Sequence, residues 1–149
     1  MNEYLIAADI GGTRLRVAVY PAGSTRPVNQ KRITTSGEGS PLERLKGLIA
    51  ELWPTDGAVR AIAAAAPGYL DPASGILFEA PNIPGWVNLP LRQELQDRFG
   101  VPAAIGNDAN LAAMGEWRYG AGQGHHNLLF LTISTGIGGG VISDDHLLL

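Results

Sequence analysis

Cysteine is absent from this 149-residue chain, which excludes disulfides and any thiolate metal site. Long apolar runs are absent too, and none approaches the ~20 residues needed to span a bilayer. The opening Met1-Asn2-Glu3-Tyr4 lacks the basic stretch and long apolar core of a secretory signal. A cytoplasmic protein with no membrane partner is therefore expected. No basic stripe appears either: acids and bases are mixed along the chain at a net charge of −3. That balance argues against nucleic acid as a direct partner. What remains is 45% apolar and 17% charged, well outside the range of disordered chains. A domain of this length buries roughly two-thirds of its unfolded surface.

Glycine and proline punctuate the sequence, and the segments between them read as strands and helices. Tyr4 to Ile10 is an apolar run meeting Gly11-Gly12, a buried strand that ends in a tight turn, with Leu15 to Tyr20 as its hairpin partner. Val28 to Thr35 is less apolar and nearer an edge. Ser40-Pro41-Leu42-Glu43 opens a helix whose Leu42, Leu45, Leu48, Ile49 and Leu52 share one face, and Pro54 ends it. Val59 to Ala66 is a buried strand stopped by Pro67-Gly68. Residues 69–90 read as turns with a short hairpin around Asp71 to Gly75. Leu91 to Phe99 is a helix stopped by Gly100, Ala103 to Ile105 a short strand, and Asp108 to Tyr119 the next helix. Gly120 to Gly124 reads as a linker. Strands at Asn127 to Ser134 and Gly140 to Ser143 flank a last glycine loop. The pattern strand, glycine turn, strand thus occurs twice, at 5–20 and 128–143, as two similar halves facing a cleft would require. A pair of strands cannot bury its own face, so 125–149 is expected to be poorly determined alone and open to self-association as a homo-oligomer.

Four segments carry residues suited to phosphate and sugar chemistry. In Asp9-Ile10-Gly11-Gly12-Thr13, paired glycines let the backbone turn tightly and present N–H groups to an anion. Thr13 adds a hydroxyl, and Asp9 is placed to hold Mg²⁺ through water. The same residues also suit an ordinary hairpin. In Asn107-Asp108-Ala109-Asn110, an Asx residue at a helix start is by default a cap, and the helix dipole favours its negative charge. The functional alternative has Asp108 accepting the proton of an attacking hydroxyl while Asn107 fixes neighbouring hydroxyls. Thr135-Gly136-Ile137-Gly138-Gly139-Gly140 has more glycine than a hairpin needs, and close approach to phosphate explains the excess. It lacks the Lys-Ser/Thr of a Walker loop. Asn82-Ile83-Pro84-Gly85-Trp86 offers an amide for hydroxyls and an indole for a sugar ring or for the core. Glu116 lies two helical turns beyond Asp108 and reads as ligand contact or surface charge. His125, His126 and His146 lack metal-ligand spacing.

Together these segments resemble the ROK family of sugar kinases and sugar-responsive repressors, within the actin, hexokinase and Hsp70 superfamily. They extend from Asp9 to Ile142, so the resemblance covers nearly the whole chain as the family's N-terminal part. It implies an α/β fold of the ribonuclease H-like (actin-type ATPase) kind, with a mixed five-stranded sheet in a domain over 1–121. Residues 122–149 would then begin a second, similar, nucleotide-binding domain. It also implies phosphate contacts at Asp9, Gly11, Gly12 and Thr13 and at Thr135, Gly136, Gly138 and Gly139. Substrate contacts would come from Gly68, Asn82, Asn107, Asp108 and Glu116, with Asp108 as general base toward a glucose-like hexose. ATP and Mg²⁺ are the implied cofactors. The family's later Glu-x-Gly-His segment and cysteine-rich zinc loop do not occur in this sequence, so no zinc site and little activity of this chain alone are expected. No helix-turn-helix precedes Tyr4, which favours the kinase branch. The alternative is a sugar-binding regulator or sensor of the same family without kinase activity. A more distant one, an acetate kinase-like or chaperone ATPase, leaves Asn107 to Asn110 without a role.

Overall fold

The structure is a computed structural model that describes residues 2–133 and 136–149. The chain divides into two units, Met1–Gly106 and Asn107–Leu149. In the first, strand β1 (Asn2–Ile10) turns Tyr4, Ile6, Ala8 and Ile10 to the interior, the period-two pattern of a half-buried strand. It pairs antiparallel with β2 (Arg14–Pro21), with Asp9 opposite Arg16 and Ile10 opposite Leu15. Strand β3 (Asn29–Thr34) adds antiparallel to β2. Helix α1 (Pro41–Glu51) follows, with Ser40 Oγ accepting the Glu43 N–H at 3.2 Å and Pro41 opening its first turn. Strand β4 (Gly57–Ala66) then runs parallel to β1, and β8 (Ala103–Asn107) completes the order β3-β2-β1-β4-β8. The mixed five-stranded sheet is present as expected.

The segment expected as turns and a hairpin is a second sheet of β5 (Tyr69–Asp71), β6 (Ile76–Glu79) and β7 (Val87–Leu89), paired antiparallel in order. Strands of three or four residues are too short to show a period in sequence. The Ser74 hydroxyl, then the Ser74 and Ala73 amides, hold the Asp71 carboxyl below its ordinary range and fix the β5–β6 turn. Helix α2 (Leu91–Phe99) ends at Gly100, whose φ of +67° is the left-handed cap the sequence calls for. Leu45, Leu48 and Ile49 of α1 and Leu91 and Leu95 of α2 join Ile6, Ile62, Leu77, Ile83 and Trp86 in one core. Each of the large aliphatic side chains contributes about 1.5–3 kcal/mol by leaving water.

The second unit holds helix α3 (Asp108–Tyr119) and a sheet of β9 (Leu128–Ile133), β10 (Ile137–Ser143) and β11 (His146–Leu148), in order β11-β10-β9. Within this unit α3 packs on β9 and β10. A Cβ on Gly140 would lie 2.6 Å from the Ala113 Cβ and 3.0 Å from the Ala109 carbonyl oxygen. Strand β11 is an addition to the sequence reading. The chain reaches it through Asp144 and Asp145, at φ of +48° and +67°, a two-residue turn with the twist of a hairpin. On the side of this sheet away from Gly138 and Gly140, Leu129, Leu131, Ile133, Ile137 and Val141 are exposed. Among the described residues, no helix is long and apolar enough to cross a membrane.

Candidate functional site

The first glycine turn is shaped by contacts from β3's end. Gly11 N–H donates to the Arg14 carbonyl at 2.9 Å. The Gly11 carbonyl accepts from Thr35 Oγ1 at 2.6 Å, and the Thr13 carbonyl from Thr35 N–H at 2.9 Å. The Gly11 amide is therefore engaged, whereas the amides of Gly12 and Thr13 and the Thr13 hydroxyl have no partner among the described residues. Thr35 escaped the sequence reading, where it was only the last residue of a strand. Its burial, at 2% exposed, is the signal, and burial is not visible in sequence. Asp9 is exposed at the end of β1, and no cluster of three metal-ligating side chains occurs among the described residues. Its carboxylate has no hydrogen-bond or ion-pair partner there, which suits a water-mediated cation better than a direct protein cage.

Asn82 is brought against this turn. A Cβ at Gly12 would sit 2.7 Å from the Asn82 Cβ and 2.9 Å from its carbonyl oxygen, so only glycine admits the approach. The loop carrying Asn82 is closed by the Ile83 amide on the Ala80 carbonyl at 2.9 Å and the Ala80 amide on the Trp86 carbonyl at 3.1 Å. Ile83 and Trp86 are buried, so the indole anchors the loop in the core instead of offering a face to a ring. Gly68 has a packing reason of its own: at φ +90°, a Cβ would fall 2.1 Å from the Glu79 carbonyl oxygen.

In the second unit, Asn107 caps α3: its Oδ1 accepts from the Ala109 and Asn110 amides at 3.0 and 3.2 Å. Asp108, at the first helical position, is exposed. Its Oδ1 also accepts from the Ala109 amide at 2.8 Å, while Oδ2 has no partner among the described residues. The cap is thus supplied by the neighbour, and the carboxylate keeps a free oxygen. Glu116 turns back on the end of its own helix, with Oε2 accepting from the Ala121 amide at 3.1 Å.

Gly138, Gly139 and Gly140 lie inside β10 and not in a loop. A Cβ at Gly138 would be 3.3 Å from that of Ala109, and Gly140 meets Ala113, so two glycines let the first turns of α3 lie directly on the strand. Gly136 has open space around it, and Thr135 lies outside the described residues.

Residues 5–149 match the profile of the ROK family. The chain is 35% identical over 147 residues to a glucokinase of Thermotoga maritima, covering 97% of this chain and 46% of that protein. In structure it is similar to a ROK family glucokinase from Streptomyces griseus solved with glucose and AMPPNP, at TM-score 0.84 and 34% identity, covering 97% of this chain and 46% of that one. It is also similar to a ROK family transcriptional regulator homologous to the E. coli MLC protein, at TM-score 0.88 and 25% identity, over 98% of this chain and 38% of that one. The chain spans about half the length, or less, of the relatives it matches. The five-stranded mixed sheet is the actin-type ATPase arrangement of these sugar kinases.

Proposed function

The chain belongs to the ROK family, and from that premise we propose that it supplies the sugar- and phosphate-binding part of an ATP-dependent hexose kinase. The observation that carries this reading is Asp108, an exposed carboxylate whose Oδ2 is left free because Asn107 takes the cap. In the proposed reaction, the free oxygen takes the proton of a hexose hydroxyl as that oxygen attacks the γ-phosphorus of ATP. The bond to the departing ADP oxygen breaks, and a sugar phosphate and ADP result. Asn82 and Asn107 position the hydroxyls. The amides of Gly12 and Thr13 and the Thr13 hydroxyl meet phosphate oxygens, where fixed donors favour the charge of the moving phosphoryl group. Asp9 would hold Mg²⁺ through water, and that ion would neutralise phosphate charge. Residues 122–149 would begin the nucleotide-binding domain. Glucose as the hexose follows the relatives' names, and ATP as the donor follows the AMPPNP bound by the Streptomyces griseus glucokinase.

The second reading, a sugar-responsive regulator, is favoured by the likeness to the MLC-type regulator. Glucose-dependent ADP release, measured on this chain and on one of full family length, separates the two. The kinase reading expects turnover by the longer chain and a fall of about 10²–10⁴ in Asp108→Asn. Unchanged turnover in that variant removes Asp108 from its role. Glucose binding without ADP release in either chain establishes the regulator.

A further inference from the structure

We infer that Thr35 is a positioning residue for the first phosphate turn: its hydroxyl holds the Gly11 carbonyl inward and so aims the Gly12 amide outward at a phosphoryl oxygen. This rests on the proposed phosphate role of that turn. The Gly11 carbonyl and the Gly12 N–H belong to one planar trans unit and point in opposite directions. Fixing one therefore fixes the other. Between two glycines such a unit is free to rotate, because neither residue carries a Cβ to oppose positive φ. Left alone, the turn would present its carbonyl to the anion as readily as its amide.

Thr35 removes that freedom. Its Oγ1 donates to the Gly11 carbonyl at 2.6 Å, and its own N–H reaches the Thr13 carbonyl at 2.9 Å, so both flanks of the turn are tied to one residue. Gly11's own amide is spent on the Arg14 carbonyl, leaving Gly12 as the amide that the tied unit delivers. Thr35 is the buried polar residue among those described, and a hydroxyl taken out of water must find a partner. Valine has the same shape and would pack there without that demand. The hydroxyl is explained by the carbonyl it holds.

Inorganic tripolyphosphate and glucose, titrated calorimetrically into this chain, test the inference with Thr35→Val and Thr35→Ser. Thr35→Val is expected to weaken tripolyphosphate about tenfold, the order of one lost hydrogen bond, with glucose affinity held within about twofold. Thr35→Ser keeps the hydroxyl and is expected to restore the wild-type value. Equal tripolyphosphate affinity in wild type and Thr35→Val overturns the inference and leaves the kinase reading standing. Equal losses for both ligands make Thr35 merely structural and overturn it too. Wild type that does not bind tripolyphosphate overturns the phosphate role of the turn and the inference with it. Amide NMR of the wild type gives a readout independent of any variant's folding. Tripolyphosphate is expected to move the Gly12 amide resonance more than that of Gly11, and the reverse order overturns the inference.

Discussion

In the β1–β2 hairpin the glycines occupy the turn, whereas in the β9–β10 hairpin Gly138, Gly139 and Gly140 run along the strand. The first pair frees the backbone at a point where other residues then hold it: Thr35 ties the Gly11 carbonyl, and Asn82 rests on Gly12. The second set clears a surface, so that Ala109, Asn110 and Ala113 of α3 lie against β10 with no side chain between them. One hairpin uses glycine to choose a backbone orientation, the other to seat a helix. That helix begins at Asp108, so the spacing of α3 from β10 decides where the candidate base stands within its own unit.

The comparison breaks first at Gly140. Adding one methyl there puts carbon 2.6 Å from the Ala113 Cβ, inside a helix–sheet contact that cannot yield without moving α3. Gly140→Ala is expected to destabilise the second unit by about 1–3 kcal/mol in chemical denaturation, the range for overpacked interiors. Unaltered stability would show that α3 is not seated on the strand. Gly12→Ala is the matching test on the first hairpin. The new Cβ meets the Cβ and the backbone carbonyl of Asn82, in a loop held by the buried Ile83 and Trp86, so a stability loss of about 1–3 kcal/mol is expected. Its larger effect falls on glucose affinity, through displacement of Asn82, and is read by calorimetry.

These contrasts also explain what was legible in advance. The Ser40-Pro41 helix start, the Gly100 stop and the Asn107-Asp108 helix entry all rest on neighbours within four residues, and local signals announce them. The strands of the first sheet, five to ten residues long, were legible as runs bounded by turns, while their union in one mixed five-stranded sheet came from the family resemblance. What escaped depends on partners far along the chain. Thr35 meets Gly11 across 24 positions, and Gly140 meets Ala113 across the whole linker. Nothing in the spelling Thr135-Gly136-Ile137-Gly138-Gly139-Gly140 separates a ligand loop from a strand that seats a helix. Glu116 was ambiguous for a similar reason: its use as a partner for the Ala121 amide depends on how the helix ends. Glycine counts report where side chains are excluded and not what excludes them.

A smaller effect of opposite sign sharpens the contrast within α3 itself. Gly115 lies in the helix interior, and a Cβ there meets nothing within 4 Å. Gly115→Ala is expected to stabilise the second unit by about 0.5–1 kcal/mol, because the unfolded chain loses more freedom than the folded helix. Destabilisation would mean that the open side of α3 is in contact with something, and thermal or urea unfolding reports it.

The smallest expected change in stability is on the other face of the same hairpin. Ile133 and Ile137 face each other across β9 and β10 and are 78% and 81% exposed, in line with Leu129 and Val141. Because neither contributes buried area in the single chain, Ile133→Thr with Ile137→Thr is expected to alter unfolding by no more than about 0.5 kcal/mol. Association should change far more. A continuous apolar face of this kind draws copies together, so the wild type is expected to sediment with rising mass as concentration increases and the double variant to remain monomeric. The glycine face and the isoleucine face of β10 would then be told apart by two independent measurements: Gly140→Ala changes folding without changing mass, and the isoleucine pair changes mass without changing folding. A wild type that stays monomeric throughout, or a double variant that unfolds easily, would show that the two faces do not divide the labour in this way.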